Sequence, residues 1–214
     1  MTNQAYDAVT TELLQRPTTP RPLEPAVPLA GLPTPVLLLD EDGLTRNIDK
    51  MAAFLGSKGK GFRPHAKTHK CPEIARRQMA AGAVGICAAK VSEAFVLVNA
   101  GIDKVLITSA VLSPAKMDVL AALSRQAQID VVVDSVAGLE ALAAALSAED
   151  EIGVLVDLDV ELGRTGTRSD EEALTLAERV SAAPNMKFRG VQHYAGHLMH
   201  VEGFSARRDL SLIH

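Results

Sequence analysis

The segment GFRPHAKTHK, residues 61–70, concentrates more chemistry than any other stretch of the chain. His65, Lys67 and His69 alternate at the period of an extended strand, so their side chains can reach one cleft, and Pro64 favours a strand end or edge because it has no N–H for a ladder. A lysine held at the mouth of a strand, partly desolvated and flanked by the cationic groups of Arg63, His65, His69 and Lys70, has a lowered pKa. It then offers the neutral amine that Schiff-base chemistry needs. The same positive charges suit a phosphate-bearing anion. A solvated basic loop has this composition too, and on the residues alone the two readings stand side by side.

Two further stretches carry candidate groups. In DLDVELGRTG, residues 157–166, a glycine-flanked turn presents Arg164, whose guanidinium can meet a carboxylate, a phosphate or a neighbouring acceptor. An ordinary turn with a solvated arginine reads the same way. In GVQHYAGHLMH, residues 190–200, Tyr194 stands among His193, His197 and His200. His193 and His197 are four apart, but Gly196 argues for a loop, and no nearby Asp, Glu or Cys completes a familiar zinc spacing. Polar residues lining a cleft account for the stretch better than a metal site.

The elements that must hold these groups follow from the hydrophobic pattern. Aliphatic runs at 36–40, 61–66, 84–89, 104–108, 129–134, 152–159 and 188–194 predict strands. Amphipathic segments at about 43–57, 71–81, 90–99, 114–126, 135–147 and 170–182 predict the helices between them. Ser113 before Pro114 marks a helix start, and Gly82 and Gly101 follow helix ends. Repeated βα units build either an open doubly wound sheet or a barrel. In a barrel the run at 36–40 leads in from outside, leaving six of eight strands. The closing segment FSARRDLSLIH reads as a helix with Phe204 and Leu210 as core contacts. Residues 15–35 hold most of the prolines, so 1–35 is expected to be an extended lead-in and 36–214 an incomplete barrel domain.

Composition excludes several classes. The 214 residues are 47% hydrophobic with net charge −4 and no basic block, which argues against nucleic acid as a partner. There is no run of about 18 apolar residues and no basic-then-hydrophobic leader, so no membrane is expected. Cys71 and Cys87 are too few for a disulfide framework and fit a reducing cytoplasm. GSKGKG at 56–61 follows a helical pattern and lacks the dinucleotide fingerprint. A non-enzymatic βα scaffold is the bland alternative.

RPHAKTHK followed by CPEIARRQMAAGAVGICAAKVSEA resembles the lysine segment and next two βα units of the D-threonine aldolase and D-serine dehydratase family, from about Thr34 to His200. That resemblance implies a parallel (β/α)8 barrel of the alanine-racemase N-terminal kind, truncated after about six strands, with pyridoxal 5'-phosphate as cofactor on Lys67. It places Arg164 in the GxGRCG-like turn that shapes the cofactor site, Tyr194 beside the cofactor ring, and His200 at the position that handles the proton of the substrate's β-hydroxyl. His65 belongs to the cofactor-binding lysine segment. Thr165 stands where many relatives have cysteine and Glu161 where they often have glycine. Ala195 replaces the histidine of YHG, and His197 takes a small-residue position.

The implied activity is a lyase reaction on D-3-hydroxy amino acids, a retro-aldol cleavage to glycine and an aldehyde. Dehydration of D-serine or D-3-hydroxyaspartate, racemisation, and a non-catalytic or inactive cofactor-binding barrel are the alternatives. The resemblance implies a divalent metal, Mn or Zn, only in a full-length relative, bound in a C-terminal β domain. It also implies late glycine-rich phosphate turns; this chain is expected to lack them and the metal domain. A small-molecule D-amino acid and a second copy in a homodimer are the partners it implies.

Overall fold

The computed structural model of the protein describes residues 28–211, so residues 1–27 of the proline-rich lead-in lie outside the described residues. A single 3-10 turn, Leu29–Gly31, precedes the first α-helix, α1 (Glu41–Ser57). Then follow α2 (Pro72–Ala80), β1 (Ile86–Ala88), α3 (Val91–Asn99), β2 (Lys104–Ile107), α4 (Pro114–Ser124), β3 (Gln128–Val133), α5 (Val136–Ala145), β4 (Ile152–Leu158), α6 (Asp170–Ala182) and β5 (Met186–His193). A 3-10 helix, Gly196–His200, and α7 (Phe204–Ser211) complete the order.

The five strands are all parallel and run β1-β2-β3-β4-β5 across one sheet, each joined to the next by a helix. Residues 62–65 extend the arc by one position through bridges of Phe62 to Ala83 and His65 to Cys87. Pro64 fits because only its carbonyl is used there, accepting from the Cys87 N–H at 2.8 Å. The described residues thus form an arc of a parallel βα barrel.

Alternation along the strands divides the core. Ile129, Val131 and Val133 of β3 and Ile152, Val154 and Val156 of β4 pack with the helices in the large cluster, whereas Cys87, Leu106 and Val132, with Leu155, form a small cluster on the concave side. Helix punctuation supports the pattern. Asp40, Ser135 and Ser169 cap α1, α5 and α6 by accepting backbone N–H bonds, and Gly82 and Gly101 take φ of 97° and 88° after α2 and α3. Ser113 stands at the start of α4 with Pro114 behind it but makes no side-chain cap.

Two expectations fail. The run at 36–40 is not a strand: Val36, Leu37, Leu38 and Leu39 are exposed and join no ladder among the described residues. An aliphatic run becomes a strand only where an edge accepts its backbone, and here none does. The segment after Gly203 is helical as expected, but Phe204 and Leu210 face solvent instead of a core. The strand expected at 188–194 is present as β5, which starts two residues earlier at Met186, carries a register irregularity against β4 at Val154/Leu155, and has Phe188 and Val191 exposed.

Candidate active site

Several of the groups singled out in the sequence meet at the C-terminal ends of the strands. A cleft of roughly 270 Å³ is lined there by His65 and Lys67, by Thr108 beyond β2, by Arg164 and Thr165 beyond β4, and by Gln192, His193 and Tyr194 at the end of β5, among others. Strand C-termini are where (β/α) barrels carry their chemistry, since several loops converge on a rigid base.

Beyond His65 the chain turns, with the Lys70 N–H donating to the Ala66 carbonyl at 2.7 Å. The turn breaks the strand alternation, so His65 and Lys67 line the cleft and His69 does not. His69 instead accepts the Cys71 N–H on Nδ1 ahead of α2, and Lys70, at φ 47°, pairs with Glu93. Lys67 is exposed, so the desolvation expected at this lysine is not present.

Hydrogen bonds fix the tautomer of His65. The Lys67 N–H donates to His65 Nδ1 at 3.1 Å, which makes Nδ1 the acceptor and puts the proton of the neutral ring on Nε2. Nε2 lies 3.2 Å from Thr108 Oγ1, and that hydroxyl can donate onward to the Ala88 carbonyl at 3.3 Å. Burial, and secondarily the Lys67 ammonium, hold the His65 pKa below its ordinary value, and Glu93 opposes them. The result is a neutral imidazole that orders the backbone of the lysine.

On the facing wall Arg164 lies over the Tyr194 ring, with Cζ 4.6 Å from the centroid, and Lys67 Nζ is 5.8 Å from the same centroid. Two cations therefore approach one aromatic ring. The turn presenting Arg164 uses left-handed backbone at Glu161, Gly163 and Gly166, with φ of 64°, 67° and 105°. A side chain at Gly166 would run into the Asp159 backbone, so glycine is needed there, whereas Glu161 carries the strain of a β-carbon. Asp159 accepts the Gly163 N–H at 2.9 Å and Asp157 accepts the Thr165 hydroxyl at 2.9 Å, fastening the turn to the end of β4.

His65, Lys67, Arg164 and Tyr194 are thus brought together, but His200 is not. It is exposed at the end of the Gly196–His200 helix and lies outside the cleft lining, whereas His193 lines it. Among the described residues no group of three or more His, Cys, Asp or Glu is placed to hold a metal ion. Thr108, Asp157 and Gln192 were not singled out in the sequence. The available signal was a polar residue at the end of an aliphatic run, as in KVLIT, or inside one, as in IGVLVDLD.

Residues 39–210 match the family described as alanine racemase, N-terminal domain. The chain is 42% identical over 192 residues to the D-threonine aldolase of Arthrobacter sp, covering 89% of this chain and 51% of that protein. It is 38% identical over 190 residues to the 3-hydroxy-D-aspartate aldolase of Paracoccus denitrificans (strain Pd 1222), covering 87% and 49%. The crystal structure of D-threonine aldolase from Filomicrobium marinum superposes with a TM-score of 0.84 at 42% identity, covering 86% of this chain and 50% of that one. The chain spans about half the length of the curated relatives it matches.

Proposed function

Because the chain belongs to the alanine racemase N-terminal domain family, we propose that its strand-end cleft holds pyridoxal 5'-phosphate through Lys67 and serves the retro-aldol cleavage of D-3-hydroxy amino acids to glycine and an aldehyde. The observation that carries this reading is the convergence of the Lys67 amine and the Arg164 guanidinium on one exposed aromatic ring, beside a neutral histidine. The donor set fits the coenzyme: a primary amine to bond its aldehyde, a ring beside which a flat heterocycle can lie, and cations for its anionic groups. Lys67 would hold it covalently, with Tyr194, Arg164 and His65 around it. When bound, the coenzyme supplies an electron sink for the charge left at the substrate's Cα.

The chain's own residues do the rest. Arg164 attracts the substrate carboxylate, and the hydrogen bonds of His65 hold the lysine backbone in register with the facing wall. Cleavage of Cα–Cβ requires the β-hydroxyl proton to leave, and an imidazole is suited to take it near neutral pH. His200 holds that role by resemblance. His193 competes for it by position, because it already lines the cleft.

Release of glycine and the matching aldehyde from D-threonine or D-3-hydroxyaspartate, measured with added coenzyme and Mn²⁺ or Zn²⁺, is the expected result. His193→Gln and His200→Gln separate the two candidates for the proton. Ammonia and an oxo acid without glycine would overturn the aldol reading in favour of dehydration. Pairing of two copies and a cytoplasmic location belong to the same proposal, and sedimentation and fractionation check them. No helix among the described residues is long and apolar enough to cross a membrane.

A further inference from the structure

Asp157, near the C-terminal end of β4, is only 3% exposed, and both of its carboxylate oxygens are in use. Oδ2 accepts the Thr165 hydroxyl at 2.9 Å and Oδ1 accepts from Gln192 Nε2 at 2.8 Å. These two partners sit beside the two members of the cation–aromatic stack: Thr165 follows Arg164 directly, and Gln192 is two residues before Tyr194 on β5.

Gln192 Nε2 also reaches the Thr108 carbonyl at 3.3 Å, and Thr108 is the residue whose hydroxyl meets His65. Hydrogen bonds therefore run from Asp157 through Gln192, Thr108 and His65 to the backbone of Lys67, and from Asp157 through Thr165 to the Arg164 turn.

We propose that Asp157 is the positioning residue of the cleft, setting the Arg164–Tyr194 stack and its spacing from Lys67. A buried carboxylate suits this task because it offers acceptors on two sides and donates to neither. A hydroxyl and an amide brought from different strands are then held in one fixed geometry. The assignment goes beyond the identity of the coenzyme lysine. Its consequence for coenzyme capture rests on the function proposed above.

The test uses the fact that the chain has two tyrosines, Tyr6 and Tyr194, and no tryptophan. With 3-fluorotyrosine incorporated and Tyr6→Phe in the background, one ¹⁹F resonance reports the ring under Arg164. Asp157→Asn supplies one acceptor where two are needed, and Thr165→Val removes one arm while leaving the carboxylate. Both are expected to shift that resonance in folded protein and to slow borohydride-trapped pyridoxyl labelling of Lys67 by about three- to tenfold, the equivalent of one lost hydrogen bond. Asp130→Asn, at the opposite end of the strands, is the control and leaves the resonance in place.

Should Asp157→Asn not fold, Thr165→Val decides. An unmoved Tyr194 resonance in a folded Thr165→Val or Asp157→Asn protein overturns the positioning role. Failure of the unsubstituted chain to label at Lys67, with the resonance still sensitive to both substitutions, overturns the coenzyme reading and leaves the role of Asp157 in the stack intact.

Discussion

At the N-terminal end of the strands, Asp130 is met by Arg63 at 3.2 Å and by Arg189 at 3.3 Å, and Gln128 stands 3.4 Å away. At the C-terminal end, Asp157 is met by a hydroxyl and an amide, and the cations of the region, Lys67 and Arg164, are left to face an open cleft. The two ends share a sheet and a buried aspartate each, with the apolar layer of Cys87, Leu106 and Val132 on the same concave side. They differ in what answers the carboxylate. Below, charge answers charge and the groups are spent on one another, in a space kept free by Gly153, whose β-carbon would collide with Asp130. Above, neutral donors answer the carboxylate, so the cations remain available to a ligand. Which end can offer cations to a ligand is decided by which of them are left over.

The largest effect expected from breaking this contrast is at the lower end. Asp130→Ala strands two arginines. It should lower the unfolding free energy by about 2–3 kcal/mol in urea, below the range for a sealed pair because the arginine side chains stay 27% and 35% exposed. Labelling of Lys67 in the folded fraction should not change. A loss of labelling equal to that of the Asp157 variants would mean that the two ends are one unit.

A middle-sized effect concerns pH. The folded-state pKa of His65 lies below its ordinary 6.5, so between the two values the unfolded chain holds the extra proton. The stability it contributes is fully present above 6.5 and is lost as pH falls from 6.5 through the folded-state value. His69, also lowered by burial, acts in the same sense. Thr108→Val should cost about 1 kcal/mol at pH 8 by removing the partner of Nε2. The His65 and His69 resonances titrate below 6.5 if the account holds, and a His65 midpoint above 6.5 would contradict the neutral ring.

The smallest effect sharpens the upper end. Glu161→Gly should stabilise the protein by about 0.5 kcal/mol, since relief of a left-handed β-carbon exceeds the entropy that glycine adds to the unfolded chain. Thermal unfolding measures it, and a destabilised variant would mean that the Glu161 side chain makes a contribution larger than its strain.

Much of this arrangement was legible from local pattern. The aliphatic runs of β2 to β4 are buried on both faces and stand within a residue of where periodicity puts them. Lys67, Arg164 and Tyr194, chosen for chemistry and resemblance, do converge. What escaped depends on partners far away in sequence. Whether Val36–Leu39 finds an edge, whether a turn swings His69 aside, and which inward polar residues meet across strands are not written in any short window. Asp157 and Gln192 are 35 positions apart and Thr108 and Gln192 are 84 apart, so strand register decides those contacts. The departure at Glu161 was visible as a residue, but its cost appears only with its φ.

Pyridoxal phosphate incubation, borohydride reduction and peptide mass mapping of the unsubstituted chain and Lys67→Ala test the central claim most directly. The account predicts selective pyridoxyl labelling of Lys67 over Lys58, Lys60 and Lys70, and its disappearance in Lys67→Ala. Labelling spread evenly over those lysines in folded protein would contradict it, leaving the cleft as a polar strand end without a coenzyme.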